Sequence, residues 1–129
     1  DNFHKLKNFK GLVPNDDSAQ VIAKYQYYFM IENNDENNYA TEKIWEPILC
    51  ETLCFYWGCP NLEEYIPEKA FVRLDMNNYE KSLQTVKTAI SENWWEQRLP
   101  FIREAKQKIT RDYNFGTTIS NILKKNFFH

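Results

Sequence analysis

Residues 27–60, YYFMIENNDENNYATEKIWEPILCETLCFYWGCP, decide how this chain folds. An aromatic and apolar run is followed by a polar segment, ENNDENN at residues 32–38, and then by apolar residues at helical spacing. A second apolar run, Leu53 to Trp57, ends in the turn residues Gly58, Cys59 and Pro60. This order predicts a strand, a surface loop, a helix, a second strand and a tight turn.

The neighbouring segments extend this pattern into an α/β domain. Tyr25 to Ile31 is predicted to be a buried strand, and Phe71 to Leu74 a third strand. Strands that alternate with helices indicate a mainly parallel sheet. Right-handed crossovers place the loops after Ile31, Trp57 and Leu74 on one edge, where open α/β sheets bind ligands. Three strands are few for a Rossmann-like sheet, so we expect further strands before residue 1.

The predicted helices have recognisable caps and two internal prolines. Thr41 offers an N-cap to a helix that Pro47 is expected to kink. Asn77 or Asn78 can cap a second helix. In this second helix, Leu83, Val86 and Ile90 are expected to form the buried face. A third helix is predicted from Trp94 to about Thr110, with Pro100 disturbing its middle. A helix from about Thr117 to Lys125 is predicted in a helical carboxyl-terminal tail.

Length and composition restrict the class of protein. We expect residues 1–129 to form a single domain. The net charge of -2 argues against nucleic acid as a partner, and the chain contains no apolar run long enough for a membrane span. The spacing of Cys50, Cys54 and Cys59, with both histidines at the chain ends, predicts buried reduced thiols and no metal site. With no Asn-x-Ser/Thr acceptor, a reducing, cytoplasmic location is expected, or the Golgi lumen for a eukaryotic secretory-pathway parent.

Lys43 is the best single candidate for chemistry. A lysine in the first turn of a helix is unfavourable for stability, because the amino end of the helix is already positive. A bound phosphate would reverse this penalty, since the free backbone N–H groups, the dipole and the ammonium would all face one anion. The alternative is a solvated lysine paired with Glu42 or Glu46.

Four other residues near the predicted strand end are candidates for sugar or nucleotide contacts. Glu32 and Asn33 follow the strand directly, where a carboxylate and an amide can bind the hydroxyls of a sugar or ribose. Alternatively, both simply solvate the loop. Glu42 is either an ordinary first-turn acid or an acceptor for a sugar hydroxyl. Tyr39 either stacks on a base or sugar or packs beneath the loop. The Trp94-Trp95 pair is expected in the core or at an interface, not on a ligand.

The segment from Tyr27 to Asp75 resembles a known family in residue type, order and spacing. The pattern is an aromatic strand ending in Glu-Asn, a Tyr-x-Thr-Glu-Lys helix start, a strand ending in Gly, a Pro turn and a Phe-to-Asp segment. It is similar to the carboxyl-terminal domain of α-1,3/1,4-fucosyltransferases, glycosyltransferase family 10. In this chain the elements are Tyr27 to Asn33, Tyr39 to Lys43, Phe55 to Gly58, Pro60, and Phe71 to Asp75.

The resemblance implies a GT-B arrangement, in which this chain is the Rossmann-like half that binds GDP-fucose. Members of the family invert the anomeric centre by direct displacement, generally without an essential metal or another cofactor. By motif, Lys43 would contact the diphosphate, Glu42 the fucose or ribose hydroxyls, and Tyr39 the nucleotide. Glu32 and Asn33 would shape the donor pocket, with Thr41 completing the donor-binding set. No residue of this chain is a certain catalytic group, and Glu42 is the one candidate.

Two departures qualify the expected activity. Asn34 stands where the family has Ser or Thr after Glu-Asn. The family's general base lies in an amino-terminal acceptor domain, through which a glycan acceptor would bind and which we expect to be missing from residues 1–129. We therefore expect a part of a larger fucosyltransferase that binds donor but is inactive alone. The alternatives are a glycosyltransferase of the same fold with another nucleotide sugar, and a non-catalytic nucleotide-sugar or interaction domain.

Overall fold

The computed structural model describes Lys5, Lys7, Asn8 and residues 18–113 of the chain. Over this part, a three-stranded parallel sheet has the order β1–β2–β3. Phe29 of β1 lies opposite Phe55 of β2, which in turn lies opposite Val72 of β3. The strands are β1 (Tyr27–Ile31), β2 (Leu53–Trp57) and β3 (Phe71–Arg73), and the helices are α1 (Ser18–Ile22), α2 (Glu42–Leu49), α3 (Tyr79–Ser91) and α4 (Trp94–Asp112).

β1 differs from its prediction in length and burial. It begins at Tyr27 instead of Tyr25, and Phe29 at its centre is 53% exposed. The reason is its position: within the described residues β1 is an edge strand of the sheet, whereas β2 lies between two neighbours and is almost entirely buried. An apolar run alone does not show which strand is central, so the expectation of a buried β1 was wrong.

The two prolines lie inside continuous helices. Pro47 is buried within α2, and Pro100 is an exposed residue of the 19-residue helix α4. Each proline removes one backbone hydrogen bond, but neither ends its helix. Thr41 caps α2, as predicted, and α3 is capped by Asn78, whose side chain accepts a bond from the Lys81 N–H at 3.1 Å. The helix predicted from Thr117 to Lys125 lies outside the described residues.

One predicted buried position in α3 is wrong. Ile90 is 54% exposed, whereas its neighbour Ala89 is fully buried. Successive helical residues point about 100° apart, so a face centred on Ala89 turns Ile90 towards solvent. Leu83 and Val86 are half-buried, in agreement with the remainder of the prediction.

Within residues 18–113 the core consists of two hydrophobic clusters, because alternate residues of β2 point to opposite faces of the sheet. Cys54 and Tyr56 join the first cluster, with Ile44 and Ile48 of α2. Leu53 and Phe55 join the second, which also contains Val72, Leu74, Ala89 and Ile102, with Trp94 and Trp95 packed against it. The prediction of core tryptophans is thus confirmed. All three cysteines are free; Cys54 and Cys59 are buried as predicted, but Cys50 is only half-buried.

None of the helices in the described part of the chain is long and apolar enough to cross a membrane.

Candidate functional site

Glu32 marks the carboxyl end of β1 and is buried, with an exposed fraction of 2%. Both of its carboxylate oxygens accept bonds from Thr41: the backbone N–H reaches Oε1 at 2.9 Å, and the hydroxyl reaches Oε2 at 2.7 Å. The Tyr56 hydroxyl also donates to Oε1, at 3.1 Å. The interpretation of Glu32 as a loop-solvating side chain is therefore wrong. Its predicted role in shaping the donor pocket remains a prediction.

Lys43 lies in the first turn of α2, where Thr41 caps the helix. Thr41 has extended backbone angles, and its Oγ1 accepts a bond from the Lys43 N–H at 3.3 Å. The Lys43 ammonium donates to Asn33 Oδ1 at 2.8 Å. Its side-chain partner is thus the amide that follows Glu32, while Glu46 accepts a bond from the Ser18 hydroxyl. The positive end of α2 and the Lys43 ammonium are the kinds of group that bind anions in other proteins.

Glu42 and Tyr39 flank this arrangement. Glu42 is exposed at the first position of α2, next to Lys43. Tyr39 is half-buried at the end of the polar loop, and its N–H donates to Glu36 O at 3.2 Å. The structure therefore brings Glu32, Thr41, Asn33 and Lys43 into one hydrogen-bonded set, with Tyr39 and Glu42 adjacent to it in the chain.

A pair of amides fastens the loop before Tyr39 to the turn after β2. The Asn38 N–H donates to Asn61 Oδ1 at 2.8 Å, and Asn61 Nδ2 donates back to Asn38 Oδ1 at 2.9 Å. The Tyr65 hydroxyl also donates to Asn38 Oδ1. Asn38 has a φ of 65°, a left-handed conformation that asparagine adopts more readily than most residues. We call the reciprocal Asn38–Asn61 pair the amide clasp; nothing in the sequence pattern indicated it.

Tyr56 and Gly58 pack against Glu32. The Tyr56 hydroxyl accepts a bond from the Cys59 N–H at 3.1 Å while donating to Glu32. Burial raises the pKa of the Tyr56 phenol; the Cys59 N–H opposes this effect, and the nearby Glu32 carboxylate adds to it. Gly58 packs so closely that a Cβ there would lie 2.3 Å from Glu32 Cγ. Sequence reasoning did not find Tyr56, because a tyrosine in an apolar strand carries no sign of what its hydroxyl contacts.

A cleft of about 520 Å³ opens beside this set, at the carboxyl ends of β2 and β3. None of the six predicted donor residues lines it. Open α/β sheets bind ligands at the carboxyl ends of their strands, so the sequence did predict this edge of the sheet. The residues that follow Trp57 and Arg73 could have been chosen as lining residues on the same ground. Its lining comprises Asp35, Trp57, Gly58, Pro60, Arg73, Leu74, Asp75, Lys81, Ser82 and Thr85.

No cluster of three or more potential metal-ligating side chains of His, Cys, Asp or Glu occurs in the described ranges.

Together, the parallel sheet, the polar groups at its carboxyl edge and the capped helix with Lys43 define a Rossmann-like α/β domain. A comparison with protein families identifies it further. The model for the carboxyl-terminal domain of glycosyltransferase family 10 (fucosyltransferase) matches residues 3–96. The chain belongs to this family, which confirms the resemblance drawn from Tyr27 to Asp75.

Relatives and solved structures agree with this assignment. GDP-fucose protein O-fucosyltransferase 3 of Danio rerio is 26% identical over 95 residues, covering 73% of this chain and 21% of the relative. Its counterpart in Xenopus tropicalis is 30% identical over 81 residues, covering 60% of this chain and 17% of the relative. The chain thus spans about a fifth of the length of these relatives.

The crystal structure of an α1,3-fucosyltransferase with GDP superposes with a TM-score of 0.62 and 26% identity, covering 72% of this chain and 28% of that one. The fold prediction, an α/β Rossmann-like half of a GT-B glycosyltransferase, is confirmed.

Proposed function

We propose that this chain is the donor-binding half of an inverting fucosyltransferase that takes fucose from GDP-fucose. The observation that carries the proposal is the position of Lys43. It lies in the first turn of α2, its ammonium is held at 2.8 Å from Asn33 Oδ1, and its chain belongs to a fucosyltransferase family. A match with a structure that contains GDP supports the same ligand.

The proposed role of Lys43 is to bind the diphosphate. As the bond between fucose and GDP breaks, negative charge builds up on the leaving phosphate. A fixed ammonium and the amino end of α2 would stabilise that charge most strongly in the transition state. Direct displacement by an acceptor hydroxyl would invert the anomeric centre.

The other site residues receive more specific roles within the same proposal. Glu42, exposed beside Lys43, would accept bonds from fucose or ribose hydroxyls, and Tyr39 would pack on the nucleotide. Asn33, whose Oδ1 accepts a bond from the Lys43 ammonium at 2.8 Å, would hold that ammonium towards the phosphates. No metal ion or cofactor is part of the proposed reaction, in keeping with the family resemblance.

For the acceptor, the relatives favour a protein hydroxyl over a free glycan. The curated relatives are named protein O-fucosyltransferases, whereas the solved structure is an α1,3-fucosyltransferase. We propose that the acceptor side and the general base come from the rest of a longer protein, since this chain matches only 21% of the length of its Danio rerio relative. On this proposal, the chain alone binds donor without turnover.

Isothermal titration calorimetry tests the donor assignment. The chain is titrated with GDP, GDP-fucose, GDP-mannose and a UDP-sugar. We expect binding of the GDP compounds, with GDP-fucose the preferred sugar nucleotide. Lys43→Ala should weaken GDP binding at least about tenfold, because a charge-assisted contact to phosphate is lost.

The matched control is Lys87→Ala, which removes an exposed lysine from α3 and should leave GDP binding unchanged. Absence of GDP binding at millimolar concentration, or equal binding by Lys43→Ala, would contradict the proposal. Preference for another GDP-sugar or for a UDP-sugar would assign the domain to a glycosyltransferase with a different donor.

A further inference from the structure

Glu32 is hydrogen-bonded to Thr41, the N-cap of the helix that carries Lys43, and its hydrogen-bonding capacity is directed into the protein. It is 2% exposed, and its two carboxylate oxygens accept three bonds from Thr41 and Tyr56. Its backbone N–H also donates to Trp57 O at 2.9 Å. A sugar hydroxyl could reach this carboxylate only if the chain around it were displaced.

The bonds between Glu32 and Thr41 determine how Thr41 caps α2. A threonine hydroxyl has one proton to donate and two lone pairs to accept with. Glu32 Oε2 takes that proton at 2.7 Å, so the lone pairs of Oγ1 are left to accept the Lys43 N–H at 3.3 Å. The carboxylate thereby orients the cap that begins the helix carrying Lys43.

The same argument applies to Tyr56 on the neighbouring strand. Its hydroxyl proton goes to Glu32 Oε1 at 3.1 Å, so its oxygen is oriented to accept the Cys59 N–H, also at 3.1 Å. Because it accepts without donating, a carboxylate can orient both hydroxyls at once. Glu32 therefore joins the end of β1, the start of α2 and the turn after β2.

We propose that Glu32 is a positioning residue that fixes Lys43 through Thr41 and does not itself touch the donor. The inference rests on the proposed binding of GDP at Lys43 and refines it. The sequence suggested that Glu32 shapes the donor pocket directly; the proposal gives it an indirect role instead. Removal of the Glu32 carboxylate would loosen the start of α2 and misplace the Lys43 ammonium.

A double-mutant cycle separates the indirect role from direct contact. Mutations at sites with independent effects multiply their losses in affinity, whereas mutations that act through one element do not. Glu32→Ala should weaken GDP binding about tenfold by releasing the cap. In the Lys43→Ala background, Glu32→Ala should cause no further loss, because the ammonium that it positions is already gone. Multiplying losses would overturn the proposal, as would unchanged binding by Glu32→Ala.

Two further variants keep the test decisive if Glu32→Ala does not fold. Glu32→Gln keeps an oxygen for Tyr56 and the Thr41 N–H, but its amide donates to Thr41 Oγ1 and leaves the hydroxyl proton without its acceptor. Its GDP affinity should therefore lie between those of the wild type and of Glu32→Ala, and wild-type affinity in Glu32→Gln would overturn the role of the carboxylate. Thr41→Val removes the hydroxyl that links Glu32 to Lys43, so it should reproduce the loss expected of Glu32→Ala. Wild-type affinity in Thr41→Val would overturn the proposal. The control is Glu36→Ala, which removes an exposed carboxylate of the same loop.

Amide hydrogen exchange, followed by NMR without ligand, distinguishes failure of this inference from failure of the proposed function. In Thr41→Val, we expect faster exchange at the backbone amides of residues 41 and 43 if the link from Glu32 holds the start of α2. Unchanged exchange there overturns the positioning role even if GDP binds. If the wild-type chain binds no GDP, the donor assignment fails, and these exchange rates still report whether the Glu32–Thr41 link holds α2.

Discussion

The backbone at Gly58 has a φ of 154°, and a Cβ added there would lie 2.3 Å from Glu32 Cγ and 2.7 Å from the Tyr56 hydroxyl oxygen. Both neighbours are buried and hydrogen-bonded, so neither can move away easily. We therefore expect Gly58→Ala to lower the free energy of unfolding by at least about 2 kcal/mol. Urea denaturation followed by circular dichroism measures this loss.

The control is Glu36→Ala, at an exposed position of the loop, which should change stability by no more than about 0.5 kcal/mol. Adding Glu32→Ala to Gly58→Ala removes the closest contact, that with Cγ, so the double variant should lose less than the sum of its single changes. Wild-type stability of Gly58→Ala would show that the turn relaxes freely.

Two buried acidic side chains in β2, Cys54 and Tyr56, should make the free energy of unfolding fall at alkaline pH. Burial raises the pKa of the Cys54 thiol above its ordinary value of 9.0, and that of the Tyr56 phenol above its ordinary value of 10.0. The folded chain thus retains protons that the unfolded chain releases. The stabilisation is complete below about pH 8.5 and falls as the pH rises through 9 and 10 towards the raised values.

We expect urea denaturation to show lower stability at about pH 10.5 than at about pH 8, with a smaller difference in Cys54→Ala and in Tyr56→Phe. Tyr79→Phe, at an exposed position, should keep the wild-type difference. An identical pH dependence in all of these variants would contradict the assignment to Cys54 and Tyr56.

At the residue scale, sequence reasoning predicted the cap of α2 but not the long-range contacts around it. The spacing of Thr41 and Lys43 predicted a capped helix with an ammonium at its start, because capping is a local interaction. The partner of Lys43, Asn33, is ten residues away and depends on how the loop closes. The Tyr56–Glu32 bond depends on the pairing of β1 with β2, which no local pattern contains.

At the scale of elements, the amide clasp joins the loop that carries Tyr39 to the turn after β2. Asn61→Ala removes both of its bonds, at 2.8 and 2.9 Å, from a partly exposed position outside the hydrophobic clusters. We expect GDP affinity to fall several-fold, about 1 kcal/mol, while the urea midpoint changes little. Calorimetry and urea denaturation measure the two effects.

Glu64→Ala is the matched control, since it removes only the 3.2 Å contact of Asn61 Nδ2 with a neighbouring carboxylate. It should leave GDP affinity unchanged. If Asn61→Ala also leaves the affinity unchanged, the loop is held by Glu32 and Thr41 without the clasp.

The order of the elements was predictable because turn residues and apolar periodicity are local signals. What failed was the burial of particular positions. Phe29 and Ile90 are apolar residues in correctly predicted elements, yet both are more than half exposed. Their exposure depends on which strand lies at the edge of the sheet and on how α3 is rotated against it, and both are properties of the assembled fold.

At the scale of the whole molecule, α4 connects the two hydrophobic clusters. Ala105 belongs to the cluster beneath α2, whereas Ile102, three residues earlier, belongs to the cluster on the other side of the sheet. The Trp95 indole adds a bond to Glu51 O at 2.8 Å, and the Glu51 carboxylate pairs with Arg103 and Lys106 of the same helix. A helix that contributes to both clusters should make them unfold together.

We therefore expect Ile102→Ala to lower the free energy of unfolding by about 2–5 kcal/mol, since it leaves a cavity at a fully buried site. Gln107→Ala, on the exposed face of α4, is the control and should stay within about 0.5 kcal/mol of the wild type. Near-ultraviolet circular dichroism and tryptophan fluorescence should give coincident urea transitions in both variants. Separate transitions in Ile102→Ala would show that the two clusters are independent units, because a helix shared by both clusters requires the face of the sheet beneath α2 and the face beneath α3 to unfold together.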